Sequence, residues 1–260
     1  MMKEKMLRMA IVLLLLVAAR DTQAKNDGDF YQITIYKCKS DSQVERVDAY
    51  LRSAWIPALH RAGIRDIGVF KPIENDTGQF RMVYVLTPFR SQAAWSDLPA
   101  TLARDAVYQR DAQTFLNAPA RLAPYERMES ILLVAFQGQP HLLLPRTRDT
   151  SRVYELRSYE SPTAALLDKK IAMFNHDEIK IFRRLGFDPV FYGRVVSGSH
   201  MPNLMYMPVF TDRIERNEQW KVFSFDPKWK EISSDPKNEN NVSVSHIDSI
   251  LMQSTAYSDY

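Results

Sequence analysis

The sequence predicts an α+β protein made of two tandem βαββαβ repeats, and three observations carry that expectation. First, segments of the first half return in the second: Tyr31-Gln-Ile-Thr-Ile-Tyr36 as Tyr154-Glu-Leu-Arg-Ser-Tyr159, and Gly63-Ile64 as Gly186-Phe187. Second, Met82-Val-Tyr84-Val, Trp95 and Ser130-Ile-Leu132 return in the same order as Leu204-Met-Tyr206-Met, Trp220 and Ser249-Ile-Leu251, at nearly the same displacement. Third, each half passes through the same succession of strand-like alternation and helical spacing. Self-similarity at one displacement marks a duplicated unit.

The elements follow in order. Phe30 to Lys37 and Val153 to Tyr159 alternate and are rich in β-branched and aromatic residues, as strands should be. Asp41 or Ser42 can cap a helix running to Ala62, and Ser161-Pro162 opens its counterpart running to Leu185. Gly63 and Gly186 stop these helices. Strands are expected near 66–72 and 80–87, and again near 189–196 and 203–210. A second helix carries Trp95 or Trp220, and a last strand carries Ile131 or Ile250. This order is the ferredoxin-like split βαβ unit. Two such sheets facing each other shield one another's open faces, which closes a pseudo-dimeric α/β barrel with Tyr31 on Tyr154, Gly63 on Gly186 and Tyr84 on Tyr206.

Residues 25–136 and 152–260 make the two repeats, and residues 137–151, with one Gly, two Pro, two Arg and one Asp, read as the linker. Residues 1–24 read as a signal peptide. Lys3, Lys5 and Arg8 precede an unbroken apolar run from Met9 to Ala19, and Thr22-Gln23-Ala24 sets small residues at −3 and −1 of a cut before Lys25. Eleven apolar residues fall short of the roughly 20 that span a bilayer, so no stable membrane anchor is expected after cleavage. The protein is expected to be exported, periplasmic or secreted. The formal charge of +3 shrinks with the leader: removing four cations and two anions leaves 30 against 29. That excess is too small to attract nucleic acid. The single cysteine, Cys38, excludes a disulfide scaffold and reads as a buried small hydrophobe.

Several segments resemble one known family. Tyr154-Glu-Leu-Arg-Ser-Tyr159, Phe174-Asn-His-Asp-Glu-Ile179 through Leu185-Gly-Phe-Asp-Pro-Val190, Pro202-Asn-Leu-Met-Tyr-Met207 and Asp226-Pro-Lys-Trp229 look like the NIPSNAP family. The first half is similar through Ile56-Pro-Ala-Leu-His60 and Gly68-Val-Phe70. The resemblance implies a dimeric α/β-barrel fold, here an internal pseudo-dimer, and little chemistry. Relatives in the wider barrel superfamily include cofactor-free monooxygenases, isomerases and haem enzymes, but a shared fold does not carry function.

The residues themselves single out a few candidates. Strand parity puts Tyr154, Leu156 and Ser158 on one face and Glu155, Arg157 and Tyr159 on the other. The more apolar face is expected against the helices and the polar set toward the space between the sheets. There Glu155 and Arg157 either line a ligand lumen or satisfy each other within a closed barrel. Leu167, Ile171, Phe174, Glu178, Phe182 and Leu185 follow helical spacing, so Glu178 sits in an apolar stripe where the first half has Trp55. A carboxyl so placed is either a general acid or base tuned toward neutral pH by desolvation, or a structural group bonded to a tyrosine or to backbone. Tyr154, Tyr192 and Tyr206 are the hydroxyls expected to meet it.

His60, His141, His176, His200 and His246 show no metal-ligand spacing, and no phosphate-cradling glycine loop or Gly-x-Ser-x-Gly is present. No metal and no cofactor are expected. Asn75 and Asn241 lie in glycosylation sequons that matter only in a eukaryotic source. Two function classes remain. One is a protein that binds a small molecule or a partner, with a homo-oligomer among its options. The other is a cofactor-free enzyme of monooxygenase or isomerase type with one site in the second half.

Overall fold

The computed structural model describes residues 28–145, 149–235 and 240–260. The leader at 1–24 and the cut after Ala24 lie outside the described residues. Repeat 1 runs β1 (Phe30–Cys38), α1 (Asp41–Tyr50), a π-helical turn (Leu51–Trp55), α2 (Ile56–Arg61), β2 (Gly68–Pro72), β3 (Arg81–Phe89), α3 (Gln92–Arg104), α4 (Ala106–Leu116) and β4 (Arg127–Ala135). Repeat 2 runs β5 (Val153–Glu160), α5 (Ala164–Met173), a π-helical turn (Phe174–Glu178), α6 (Ile179–Arg184), β6 (Asp188–Ser197), β7 (Asn203–Phe210), α7 (Arg213–Phe225), α8 (Pro227–Ser233), α9 (Asn240–Ser243) and β8 (His246–Ser254).

The first long helix of each repeat starts and stops by the same devices. Ser40 and Thr163 are the N-caps, their hydroxyls accepting from the backbone N–H groups of Gln43 and Leu166. These caps replace Asp41 or Ser42 and Ser161-Pro162, because only the residue just outside the first turn can turn its oxygen back on the orphan N–H groups. Gly63 and Gly186 both take φ +81°. Behind them Ile64 donates to Leu59 and Phe187 to Phe182, at 2.9 and 3.0 Å, which closes a Schellman end in each repeat. Between start and stop, one turn widens: Ile56 donates back to Leu51, and Ile179 to Phe174, the five-residue step of a π-helix.

The eight strands close a barrel in the order β1-β3-β2-β8-β5-β7-β6-β4. Each repeat contributes four adjacent strands, and the two seams are equivalent: β8 pairs with β2 and β4 pairs with β6, so the last strand of each repeat meets the second strand of the other. A closed sheet leaves no edge exposed.

Strand β5 is buried on both faces, and the distribution of side chains overturns the expected orientation. Tyr31, Ile33, Ile35, Tyr154 and Leu156 fill the lumen with Phe70, Phe191, Met205, Met207 and Met252. Glu155, Arg157 and Tyr159 lie on the outer face, between the sheet and its helices. The lumen is walled by backbone on every side and takes the set without charges. The outer layer borders α7, whose Arg216 and Trp220 supply the partners that a buried carboxylate requires.

The alignment of the repeats also shifts in one place. Ile35 faces Tyr84, and its equivalent Ser158 faces Met205, so Tyr84 corresponds to Met205 and not to Tyr206. Tyr84 accordingly packs in the lumen and Tyr206 in the outer layer. A one-residue slip along a strand exchanges its faces. Trp95 and Trp220 do share the second helix of their repeats, but counted from the N-caps Ser91 and Asp212 they stand one turn apart, and Arg216 takes the place of Trp95.

Candidate functional site

The outer layer of repeat 2 gathers most of the residues singled out in the sequence. Glu155, fully buried on β5, is saturated. Arg216 reaches its two oxygens at 2.8 Å each, Trp220 Nε1 donates at 2.7 Å, Ser249 Oγ at 2.6 Å, and Arg157 adds a further ion pair. Burial alone would raise its pKa, but the donors from Arg216, the charge of Arg157 and the bonds from Ser249 and Trp220 hold it down at about 2. Arg157 also donates to Tyr159 Oη at 3.0 and 3.2 Å and lies 4.7 Å over the Trp220 ring, and Tyr159 Oη shares a 3.0 Å hydrogen bond with Tyr206 Oη. Glu155 and Arg157 are thus the anchored end of a network on the outer face of the sheet.

Glu178 is different. It ends the π-helical turn, 3% exposed, and its Oε2 lies 3.8 Å from Lys170 Nζ, too far for a hydrogen bond, and has no hydrogen-bond partner among the described residues. Burial raises its pKa to about 7, against the opposing charges of Lys170 and Arg157. Burial likewise lowers that of Lys170, whose Nζ lies 5.4 Å from the Phe174 ring centre and 5.7 Å from that of Trp229. The Tyr192 hydroxyl is another buried group with no hydrogen-bond partner among the described residues, and its ring stacks on Tyr206 at 5.6 Å. Burial, and next to it the Glu178 charge, pushes the Tyr192 pKa up.

Of the three tyrosines expected here, Tyr192 and Tyr206 join the layer that holds Glu178. Tyr154 does not: it points into the lumen against Phe70, at 4.8 Å between ring centres. Tyr159, on the opposite face of the same strand, takes its place. Two participants were legible but unmarked. Lys170 falls three residues after Leu167 and four before Phe174, inside the apolar stripe, and Arg216 occupies the Trp95 position. Among the histidines, His60 and His141 each face one carboxylate, Asp259 at 2.8 Å and Asp29 at 3.1 Å, and His176 is exposed as its helix angle predicts. Cys38 is buried, which pushes its thiol up to about 11. Asn75 spends its side-chain amide on the Met82 backbone.

The matching layer of repeat 1 opens to the surface. Gln32 stands at the position of Glu155, Trp55 at that of Glu178 and Trp95 at that of Arg216. With Leu98, Pro99 and Tyr108 they line a cavity of about 570 Å³. Gln32 donates through its side-chain nitrogen to Ser130 Oγ at 2.8 Å. At the equivalent positions in repeat 2, Glu155 is paired with Arg157 and Arg216.

With this geometry in place, one family model, NIPSNAP, matches residues 154–259. Repeat 2 is similar to the NIPSNAP domain. The match covers repeat 2, the half in which the motifs are clearest. No curated protein matches the sequence. Among solved structures, a provisionally assigned monooxygenase from Lactobacillus acidophilus NCFM aligns with a TM-score of 0.55 at 14% identity, over 87% of this chain and 94% of that one. An anthrone oxidase-like protein aligns at 0.50 and 9%, over 88% and 92%. A NIPSNAP family protein from Agrobacterium tumefaciens covers 44% of this chain with 96% of its own, at 16% identity and a TM-score of 0.38. At such identities the first two likenesses concern the fold. Among the described residues, no helix is long and apolar enough to cross a membrane.

Proposed function

We propose that this protein binds a small, flat, largely uncharged organic molecule between sheet and helices, and that it works outside the cytoplasm once its leader is removed. The observation that carries the binding reading is the cavity of about 570 Å³ at Gln32, Trp55, Trp95 and Tyr108. Its volume is that of a small-molecule site. Indole and phenol faces favour a planar ring, and the carbonyl oxygen of Gln32 supplies an acceptor for one hydroxyl. Titration with 2-naphthol, followed by tryptophan fluorescence, is expected to give saturable one-to-one binding. Ala103→Trp, which fills the exposed lip of the cavity, should abolish that binding without moving the melting temperature. Unsaturable quenching, or identical binding by the variant, would sink the reading.

A second reading, a cofactor-free proton-transfer enzyme of monooxygenase or isomerase type, is favoured by Glu178, whose carboxyl at about pKa 7 beside Lys170 can hold or release a proton at neutral pH. The oxidase-like and monooxygenase-assigned structures that share the fold are consistent with it. Oxygen uptake with an anthrone, present in the wild type and absent in Glu178→Gln, would establish this reading over simple binding.

A further inference from the structure

We propose that Glu160, His200, His246 and Asp248 form a site for one divalent transition-metal ion of zinc type at a mouth of the barrel. Spacing along the chain hides this group, because its members come from three segments. Glu160 ends β5 and lies directly opposite His246, the first residue of β8, so the two side chains share a face. Asp248, two residues on, shares it as well. Farther along the same face, Ile250 and Met252 pack in the lumen, which places the three groups where the lumen face reaches the rim.

The fourth group arrives from the hairpin between β6 and β7. His200 adopts φ +62°, and its Nδ1 lies 2.9 Å from Glu160 Oε1. On the other side, His246 Nε2 lies 3.1 Å from Asp248 Oδ1. One ligand atom each from Glu160, His246 and Asp248 falls within 4.8 Å of the other two. Four ligands at roughly 2.0–2.1 Å around a tetrahedral ion stand about 3.3 Å apart. The two histidine–carboxylate pairs already have nearly that separation, and rotation of exposed side chains can bring the pairs together.

The donor set decides the class of ion. Two imidazole nitrogens and two carboxylate oxygens suit zinc, cobalt or nickel, whereas calcium and magnesium take oxygen ligands. Two carboxylates also balance the charge of a divalent ion. Stability does not call for this group as it stands. The side chains are 22% exposed at Glu160, 64% at His200, 58% at His246 and 55% at Asp248. Polar pairs so open to water are screened and add little to stability. An ion therefore has access to ligands whose present pairing is weak. The backbone beneath is firm, since Ser245 donates to the Glu160 carbonyl from its N–H at 2.8 Å and from its hydroxyl at 3.2 Å.

The test is titration of the chelator-treated protein with Co²⁺, read by visible absorption, then displacement by Zn²⁺ followed by calorimetry. One ion per chain with micromolar or tighter affinity and the intense visible bands of a four-coordinate cobalt site are expected. The double variant His246→Ala/Glu160→Gln should bind at least a hundredfold more weakly, with an unchanged circular dichroism spectrum, while His176→Ala binds as wild type. Zn²⁺ should raise the melting temperature of the wild type and not of the double variant. Absence of one-to-one binding, equal affinity in the double variant, or cobalt bands of a six-coordinate aquo ion alone would each overturn the assignment.

Discussion

Trp55 and Glu178 end the same π-helical turn in the two repeats, one an indole lining an open cavity, the other a carboxyl sealed beneath Lys170. The shared turn belongs to the fold, since it is present whichever residue closes it. The residue at its end determines whether the layer below holds space or charge.

Glu178 gives the protein a pH dependence of definite sign. Its pKa rises from 4.5 to about 7 on folding, so between those values the folded chain holds a proton that the unfolded chain has lost. The stability this provides is complete below pH 4.5 and is lost as pH rises through 7, with an upper size of about 3 kcal/mol. Glu178→Gln removes the titration. Urea unfolding at pH 5 and pH 8 should show the variant gaining on the wild type as pH rises, and a difference that stays constant between the two would contradict the burial argument.

Glu155 works in the opposite direction. Its pKa falls from 4.5 to about 2, so its contribution is present above pH 4.5 and lost as pH falls toward 2. Glu155→Ala leaves Arg157 and Arg216 without their shared anion and is expected to cost about 3–5 kcal/mol, at the lower end because Arg216 remains partly open to water. Guanidinium midpoints measure this. A loss below 1 kcal/mol would mean that the network is not what holds α7 to the sheet.

Gly63→Ala and Gly186→Ala isolate backbone strain. A Cβ at either position meets no atom within 4 Å, so the penalty arises from φ +81° alone. About 1 kcal/mol is expected for each, and the two should add in the double variant because the helix ends are independent. Melting curves of the three variants would show it; a neutral result at either position would mean that the Schellman end relaxes.

The fold was legible because its signals are local. The glycines at 63 and 186, the alternating strands and the helical stripe each report on their own segment, and the tyrosines at 31 and 154 carry the duplication between them. What escaped the sequence depends on neighbours in space. Parity separated Leu156 from Arg157 correctly, but nothing in β5 says which of its two buried faces looks inward; that is settled by Arg216 and Trp220, some 60 residues later. Tyr84 and Tyr206 look alike in sequence and differ by one position in register, which strand pairing alone reveals. His200, His246 and Glu160 have no spacing to notice, since three separate strand ends bring them together.

The two seams of the barrel lie within one chain, and that changes what substitution can do. In a dimer of identical halves every replacement falls twice, once in each layer, and an open layer could never face a charged one. Tethering the halves relaxes that symmetry, so a single replacement at Trp55 or at Glu178 alters one layer and leaves the other untouched. Repeat 1 could stay open while repeat 2 accumulated Glu155, Arg157 and Arg216, with the strands that join them unchanged in plan.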